Sequence, residues 1–348
     1  MIYTGGMDLI TPAAIFFVAM GTSAILTKWL IPHLNRFNVM DVPNARSNHD
    51  TPVPRGGGIG PITAIVLGLI VLGTGVVGSG VSMVLKDLAA LCAAVIILAG
   101  MSFYDDIRGI SPALRLAVQF AAAAFVLAIV PFQGPIFQGL FPSWLDTLAA
   151  LILWVWFVNL FNFMDGVDGI AGVETLAIGL GLFIVVAMSG RTSSVGHVGV
   201  LVAGSGLGFL FYNWAPAKIF LGDAGSVPLG FLLGWLLLEL AASGLWAAAL
   251  ILPLYFLTDS TLTLYRRALR GDAVWRAHKE HFYQQAVAKG MSHARVSSSV
   301  AVANIFLIGL AITSAYAPIS GLIAGGAVVF VLLLYFKQSP RQTGESGG

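Results

Sequence analysis

Five aspartates carry the chemistry of this chain: Asp105 and Asp106 in FYDDIRG, Asp165 and Asp168 in NLFNFMDGVDGIAG, and Asp223 in FLGDAGS. Each lies at the end of a long apolar stretch, where an ionisable group is costly enough to call for a functional explanation. The series Asn159, Asn162, Asp165, Asp168 steps by three, which puts successive members about 60° apart on a helix and so on roughly one face. Hard oxygen donors of this kind suit Mg²⁺ or Mn²⁺, and Mg²⁺ is commonly held by one or two carboxylates together with substrate phosphates. The glycines of LGDAGS, Gly222 among them, let backbone approach a ligand. Gly225 and Ser226 open a span whose N-terminus is expected to offer free N–H groups to a phosphate. No GxxxxGK[ST] string occurs, which argues against a P-loop motor.

Two further segments supply the opposite charge. Loop 32–58 contains DVPNARSNHDTPVPRGGG, with Arg46, His49 and Arg55 among Pro and Gly turn signals. Loop 266–296 contains RRALRGDAVWRAHKEHFYQQ, with His278 and His281 three apart. No third ligand with zinc-like spacing follows them, so a zinc site is not expected. Asp259, in LTDS, reads either as functional or as a partner of Arg266 or Arg267, and His293, in MSHAR, reads as a solvated lead-in to the next span. Acids for a metal and bases for phosphates in an apolar chain point to phosphoryl chemistry at a membrane surface.

The elements that must position these residues are membrane spans. Of the 348 residues, 57% are apolar without counting Gly and 10% are charged, against roughly 45–50% apolar with Gly and about 25% charged in a soluble domain. About eleven apolar stretches of ~20 residues can each cross a ~30 Å hydrocarbon core: 9–31, 59–78, 88–104, 114–131, 144–161, 170–190, 195–212, 226–241, 246–265, 297–316 and 319–336. The expected fold is all-α, a polytopic integral membrane protein forming one domain over 1–348. Its N-terminus is outside and its C-terminus cytoplasmic. Threading the spans this way leaves only Lys86 and Arg191, of 18 Lys and Arg, on the outer side, as the positive-inside rule requires. Loops 32–58, 105–113, 162–169, 213–225 and 266–296 then share the cytoplasmic face, and with them all five aspartates. Gly-rich runs at 204–208 and 321–326 read as close helix packing. The single cysteine, Cys92, excludes disulfides, and no feature points to nucleic acid.

In these motifs the sequence resembles the polyprenyl-phosphate N-acetylhexosamine-1-phosphate transferases, integral membrane enzymes related to the phospho-N-acetylmuramoyl-pentapeptide transferases. The resemblance runs through DVPNARSNHDTPVPRGGG, FYDDIRG, NLFNFMDGVDG, FLGDAGS, PLYFLTDSTLTLYRR and AHKEHFYQ, in the family's order. It implies attack of undecaprenyl phosphate on the β-phosphorus of a UDP-N-acetylhexosamine, with Mg²⁺, to give lipid-diphosphate-sugar and UMP at the cytoplasmic face of the bacterial inner membrane. It further implies Asp223 as the main metal ligand, Asp105 and Asp106 as the acidic pair facing the lipid phosphate, and Asn162, Asp165 and Asp168 as a nucleotide-side shell. Phe220 is implied as the platform for uracil, and His278 and His281 as the family's histidine loop. Asn159, Arg46, His49, Arg55, Gly222 and Ser226 join the expected substrate-binding set. AHKEHFYQ lacks three consecutive histidines, so the resemblance is to the branch that starts O-antigen or other surface-glycan synthesis. A homodimer is compatible with this reading.

Phosphate charge sets the mechanistic expectation. Both reactants are anionic, so Mg²⁺ and Arg or Lys must offset their repulsion. A phosphate monoester has a second pKa of ~6 and is mostly deprotonated at neutral pH, so Asp105 is expected to bind metal and position groups more than to abstract a proton. The competing class, an ion-coupled transporter, places its acids near the midplane at broken helices, whereas these lie at span ends.

Overall fold

The computed structural model describes residues 9–43, 51–75, 84–190, 194–273 and 278–338. Thirteen α-helices carry the fold: α1 Ile10–Arg36, α2 Ile59–Gly73, α3 Leu85–Arg108, α4 Pro112–Ile129, α5 Ser143–Phe163, α6 Ile170–Met188, α7 Ser194–Asn213, α8 Asp223–Leu240, α9 Trp246–Ile251, α10 Leu254–Leu269, α11 Phe282–Ala288, α12 His293–Thr313 and α13 Pro318–Gln338. Two short antiparallel strands, β1 Met40–Asp41 and β2 Val53–Pro54, close the loop after α1. Among the described residues, nine helices are long and apolar enough to cross a membrane, and α2 is a shorter apolar one.

Two of the eleven expected spans differ from a plain helix. Span 59–78 is helical only to Gly73. Span 246–265 is broken into α9 and α10 at Leu252–Pro253, where Pro lacks the N–H to continue the ladder. It is also joined to α8 through a π-turn, Ala241–Leu245, in which Gly244 adopts φ 90°. The alternation of helix ends survives both changes. The C-terminal ends of α3, α5 and α10 meet the N-terminal ends of α2, α4, α8 and α12 at one end of the bundle, joined by the contacts described below. At the opposite end Asp146, in the first turn of α5, accepts from the N–H groups of Ile136 (3.0 Å) and Phe137 (3.0 Å) and fastens the α4–α5 connection.

Burial identifies the centre. The apolar stretches of α6, α7 and the segment from α8 are 72%, 78% and 67% buried, against 28% for α1 and α4. Small residues allow this, as glycine-lined faces do where hydrophobic transfer cannot drive helix association. A Cβ on Gly204 would stand 2.3 Å from the Phe16 carbonyl oxygen, and one on Gly208 2.2 Å from that of Met20, so α7 lies backbone to backbone on α1. The expected packing at 204–208 is observed. In the run 321–326 only Gly321 and Gly325 meet neighbours, while Gly326 faces open space.

Candidate active site

The site forms where two glycine-rich segments touch. Gly57 and Gly58 donate to the carbonyls of Phe220 and Leu221, both at 2.9 Å, and Phe220 donates to Pro54 at 2.8 Å. A Cβ on Gly58 would fall 2.1 Å from the Gly225 Cα. This contact is why RGGG and LGDAG require their glycines, and it carries Arg55 over the start of α8. Gly222 adopts φ +70°, and a Cβ there would meet Asp106 Oδ2 at 2.7 Å.

Asp106, in the last turn of α3, is fully buried. Its two oxygens accept from the N–H groups of Asp223 (3.2 Å) and Ala224 (3.0 Å), capping α8 from another helix. Gly225 and Ser226 donate to the Gly222 carbonyl, each at 3.0 Å. The expectation of free N–H groups for a phosphate is therefore corrected: all four are occupied. Asp106 likewise does not project into open space as half of an acidic pair.

The carboxylates of Asp105, Asp165 and Asp223 take no part in that cap. Asp223 is flanked by two guanidiniums, Arg55 Nη2 3.4 Å from Oδ1 and Arg115 Nη1 3.2 Å from Oδ2. Arg55 also reaches Asp106 at 2.8 Å, and Arg115 reaches Asp105 Oδ2 at 3.1 Å. Burial opposes the charge of Arg55, but Asp106, Asp223, Asp41 and Asp105 outweigh it and raise its pKa. The Asp165 N–H donates to the Asn162 carbonyl at 3.3 Å, but its carboxylate makes no hydrogen bond or ion pair among the described residues. Its deep carboxyl position, then the charge of Asp223, push its pKa up to about 7 against the pull of Arg55.

Whether this set fits a divalent cation turns on its donors. Among the described residues no group of three or more His, Cys, Asp or Glu could hold a metal ion. Mg²⁺ does not need one, since it retains waters and takes substrate phosphates as ligands. Asp105 Oδ1 is fixed by the Ile110 N–H at 2.7 Å, while its buried Oδ2 makes no aligned hydrogen bond although Arg115 lies beside it. That oxygen and Asp223 Oδ2 converge on one cationic nitrogen. The residues fit Mg²⁺ held by Asp223 and Asp105.

The Asn/Asp series does not form one face. α5 ends at Phe163, so the three-residue step has no helical meaning beyond Asn162. Asn162 Oδ1 accepts from Ser226 Oγ at 2.5 Å, joining α5 to α8 beside the acids. Asn159 instead turns into the bundle, donating to Gln119 at 2.6 Å and to the Val155 carbonyl at 2.8 Å, and is removed from the site. Asp168 is engaged by His293 Nδ1 at 3.1 Å and by the Ala217 N–H at 3.0 Å. It holds α12 to the 214–221 loop, and His293 is a buttress rather than a solvated lead-in. Phe220 is half-buried, and its backbone is bonded to Gly57 and Pro54. Arg46 and His49 lie outside the described residues.

The histidine loop contains a helix not anticipated in loop 266–296. α11 begins at the N-cap His281, and its first two N–H groups, from Phe282 (3.0 Å) and Tyr283 (3.3 Å), are accepted by Asp259 of α10. Asp259 also takes Tyr255 (3.1 Å), Thr263 (3.2 Å) and His281 Nδ1 (3.2 Å). It pairs with neither Arg266 nor Arg267; Arg267 and Arg270 clasp Glu280, and Arg266 stands over the Phe282 ring at 5.0 Å. His281 is 2% exposed, so His278, whose ring lies 4.9 Å away, is the more accessible of the two. Tyr283 donates to the Phe163 carbonyl at 3.0 Å and lies against Gly166, which brings the loop beside Asp165.

Sequence reasoning missed Arg115, counted only as a cytoplasmic cation, and Asn213. The latter accepts from the Gly169 N–H at 3.0 Å and donates to the Ile219 carbonyl at 2.9 Å, stitching DGVDG to the strand of chain that leads to Asp223. A basic residue one helical turn into the element after DDIRG was the available signal for Arg115.

An apolar bundle of membrane-spanning helices gathers acids and guanidiniums at one end, a set of groups suited to phosphate chemistry. Residues 88–241 match glycosyl transferase family 4. The chain is 28% identical to the "Probable undecaprenyl-phosphate N-acetylglucosaminyl 1-phosphate transferase" of Bacillus subtilis (strain 168), over 94% of this chain and 91% of that protein. It is 30% identical to the decaprenyl-phosphate N-acetylglucosaminephosphotransferase of Mycobacterium leprae (strain TN), over 82% and 78%. With the phospho-N-acetylmuramoyl-pentapeptide-transferase of Chlamydia pneumoniae it shares 33% identity over 39% of this chain and 47% of that protein. The chain belongs to glycosyl transferase family 4.

Proposed function

We propose that this multi-pass membrane protein transfers N-acetylglucosamine 1-phosphate from UDP-N-acetylglucosamine to undecaprenyl phosphate and releases UMP, opening a lipid-linked surface glycan. The carrying observation is the likeness along nearly the whole chain to relatives named for this transfer. The acids and guanidiniums at one end of the bundle suit it chemically. None of these relatives is named as a transporter, and the ion-coupled reading gains no support. We place the active end at the cytoplasmic face of a bacterial inner membrane, a reading that the distribution of Lys and Arg supports.

Asp223 and Asp105 would hold Mg²⁺, which when bound neutralises charge on phosphoryl oxygens. Arg55 stays on Asp106 and faces the same phosphates. Asp165, whose carboxylate has no partner among the described residues and a pKa pushed up to about 7, is the group best placed to accept a proton from a lipid phosphate that arrives as its monoanion. Asn162 and Ser226 orient the nucleotide side, Phe220 offers its half-exposed ring to uracil, and the His278–His281 loop closes over the sugar.

The test is product identity. Membranes containing the protein, given UDP-N-acetylglucosamine, undecaprenyl phosphate and Mg²⁺, are expected to release UMP. The reaction exchanges one phosphoanhydride for another, so added UMP is expected to regenerate UDP-sugar from labelled lipid-diphosphate-sugar. Free sugar phosphate with no back-exchange overturns the assignment.

A further inference from the structure

The two arginines at Asp223 are held differently. Arg55 is built in: its backbone N–H donates to Val39 at 3.1 Å, Gly56–Gly58 are locked against the start of α8, and its guanidinium lies 2.8 Å from Asp106 but 3.4 Å from Asp223. Arg115 extends from the first turn of α4, is a third exposed, and meets only Asp105 and Asp223 as ion-pair partners among the described residues. Its single nitrogen Nη1 contacts Asp105 Oδ2 and Asp223 Oδ2 at 3.1 and 3.2 Å. These are the same two oxygens that converge as ligands for a divalent cation. A guanidinium nitrogen and a metal ion cannot both occupy that point, because each needs the same lone pairs and their charges repel.

We propose that Arg115 is a displaceable occupant of the metal position: it neutralises the Asp105–Asp223 pair in the metal-free protein, yields the two oxygens to the cation, and moves its guanidinium onto a phosphate of the nucleotide. This rests on the assignment of Mg²⁺ to Asp223 and Asp105. The displaced side chain has the means to make the move. It is planar, permanently charged and able to grip phosphate with two N–H groups, and it is tethered at the rim of the site. The loosely aligned contact on Asp105 Oδ2 is the bond most readily given up. Metal binding and phosphate binding are thereby coupled, since the ion releases the group that the anion needs.

Mn²⁺ serves as a paramagnetic probe for the purified protein in detergent, with free Mn²⁺ read by electron paramagnetic resonance in the absence of nucleotide. Arg115→Gln is expected to bind Mn²⁺ about tenfold more tightly than the parent, since a competing charge is gone. With Mn²⁺ saturating, the same variant is expected to bind UMP about tenfold more weakly, measured by titration calorimetry. Arg115→Met gives the same pair of readings should the glutamine variant not fold. Asp223→Asn is the control for the underlying assignment and is expected to lose Mn²⁺ binding. If it does so while both Arg115 variants bind Mn²⁺ no better than the parent, Arg115 does not occupy the metal position and the proposal is wrong although the metal assignment stands. Tighter Mn²⁺ binding with unchanged UMP affinity overturns the transfer to phosphate. Retention of full Mn²⁺ affinity by Asp223→Asn removes the metal assignment and the proposal together.

Discussion

The N-termini of α8 and α11 are built alike and used differently. Each is capped by a fully buried aspartate from another helix, which accepts two successive backbone N–H groups: Asp106 serves Asp223 and Ala224, and Asp259 serves Phe282 and Tyr283. At α8 the capping carboxylate is also bound by Arg55, so the cap belongs to the charge network and brings an acid, Asp223, to the helix tip. At α11 the other partners are two hydroxyls and an imidazole, and the tip presents histidines. In neither place is the positive end of the helix dipole left for a substrate anion. In the proposed function, phosphate recognition falls to the guanidiniums and the proposed cation.

Removing the acid from the α8 tip tests that conclusion most directly. Asp223→Asn keeps shape and leaves Asp106 to cap the helix, so the fold is expected to survive while UMP release falls by about two orders of magnitude or more, the scale of losing a principal electrostatic stabiliser. Near-normal turnover at ordinary Mg²⁺ would break the contrast, since Asp223 would then be a further structural acid.

The caps themselves come next. Asp106→Asn offers one acceptor oxygen where two N–H groups need partners, and it also leaves Arg55 less well paired. A buried donor without a partner costs about 1–3 kcal/mol, so the variant is expected to be destabilised by about 2–4 kcal/mol in thermal unfolding in detergent and to lose activity. Asp259→Asn has the same capping defect without a guanidinium and is expected to cost about 1–3 kcal/mol. Equal losses would show that Arg55 on Asp106 weighs no more than Tyr255, Thr263 and His281 on Asp259.

Much of the architecture was legible in advance because it rests on local sequence. Span length and hydropathy identified the legs of the bundle, and the scatter of Lys and Arg predicted that all five aspartates share one end, as they do. What the sequence could not disclose was which N–H lies under which carboxylate. Asp105 and Asp106 are adjacent and chemically identical, yet Asp106 caps α8 across 117 residues while Asp105 turns an oxygen to Arg115. Asn159 continued a regular spacing but faces Gln119, because helical phase relative to neighbouring helices is fixed by packing. α11 escaped notice because its seven residues are too few to show a period, and His293 looked solvated because Asp168 is distant in sequence.

The histidines give a smaller contrast. His281→Ala deletes a buried ring that sits on Asp259 and starts α11, and it is expected to lower activity by about tenfold or more through misplacement of the loop. His293→Ala removes a partly exposed partner of Asp168 and is expected to cost less than about 1 kcal/mol, with little change in turnover. Comparable activity losses in the two would mean that the α12 buttress, rather than the α11 tip, sets the position of the sugar.

The smallest effect is expected at His278, and its sign follows from its surroundings. Burial, then the neighbouring His281 and Arg267, lower its pKa from 6.5 to about 4, against the opposing pull of Glu280 and Asp259. The ring is therefore neutral at pH 7, and its Nδ1 accepts from the Glu280 N–H at 3.3 Å. A folded-state pKa below the unfolded one means that the unfolded loop takes up a proton more readily between these values. The stabilisation is fully present above about pH 6.5 and declines as pH falls towards 4. Because the residue is half-buried in a surface loop, the change is local rather than global. Hydrogen exchange at the backbone of 278–288 is expected to speed up relative to α6 and α7 over that range, after correction for the intrinsic pH dependence of exchange. His278→Gln, which cannot take up the proton, is expected to flatten that response while leaving the exchange of α8 unaltered. A pH response that persists unchanged in this variant would place the titrating group elsewhere.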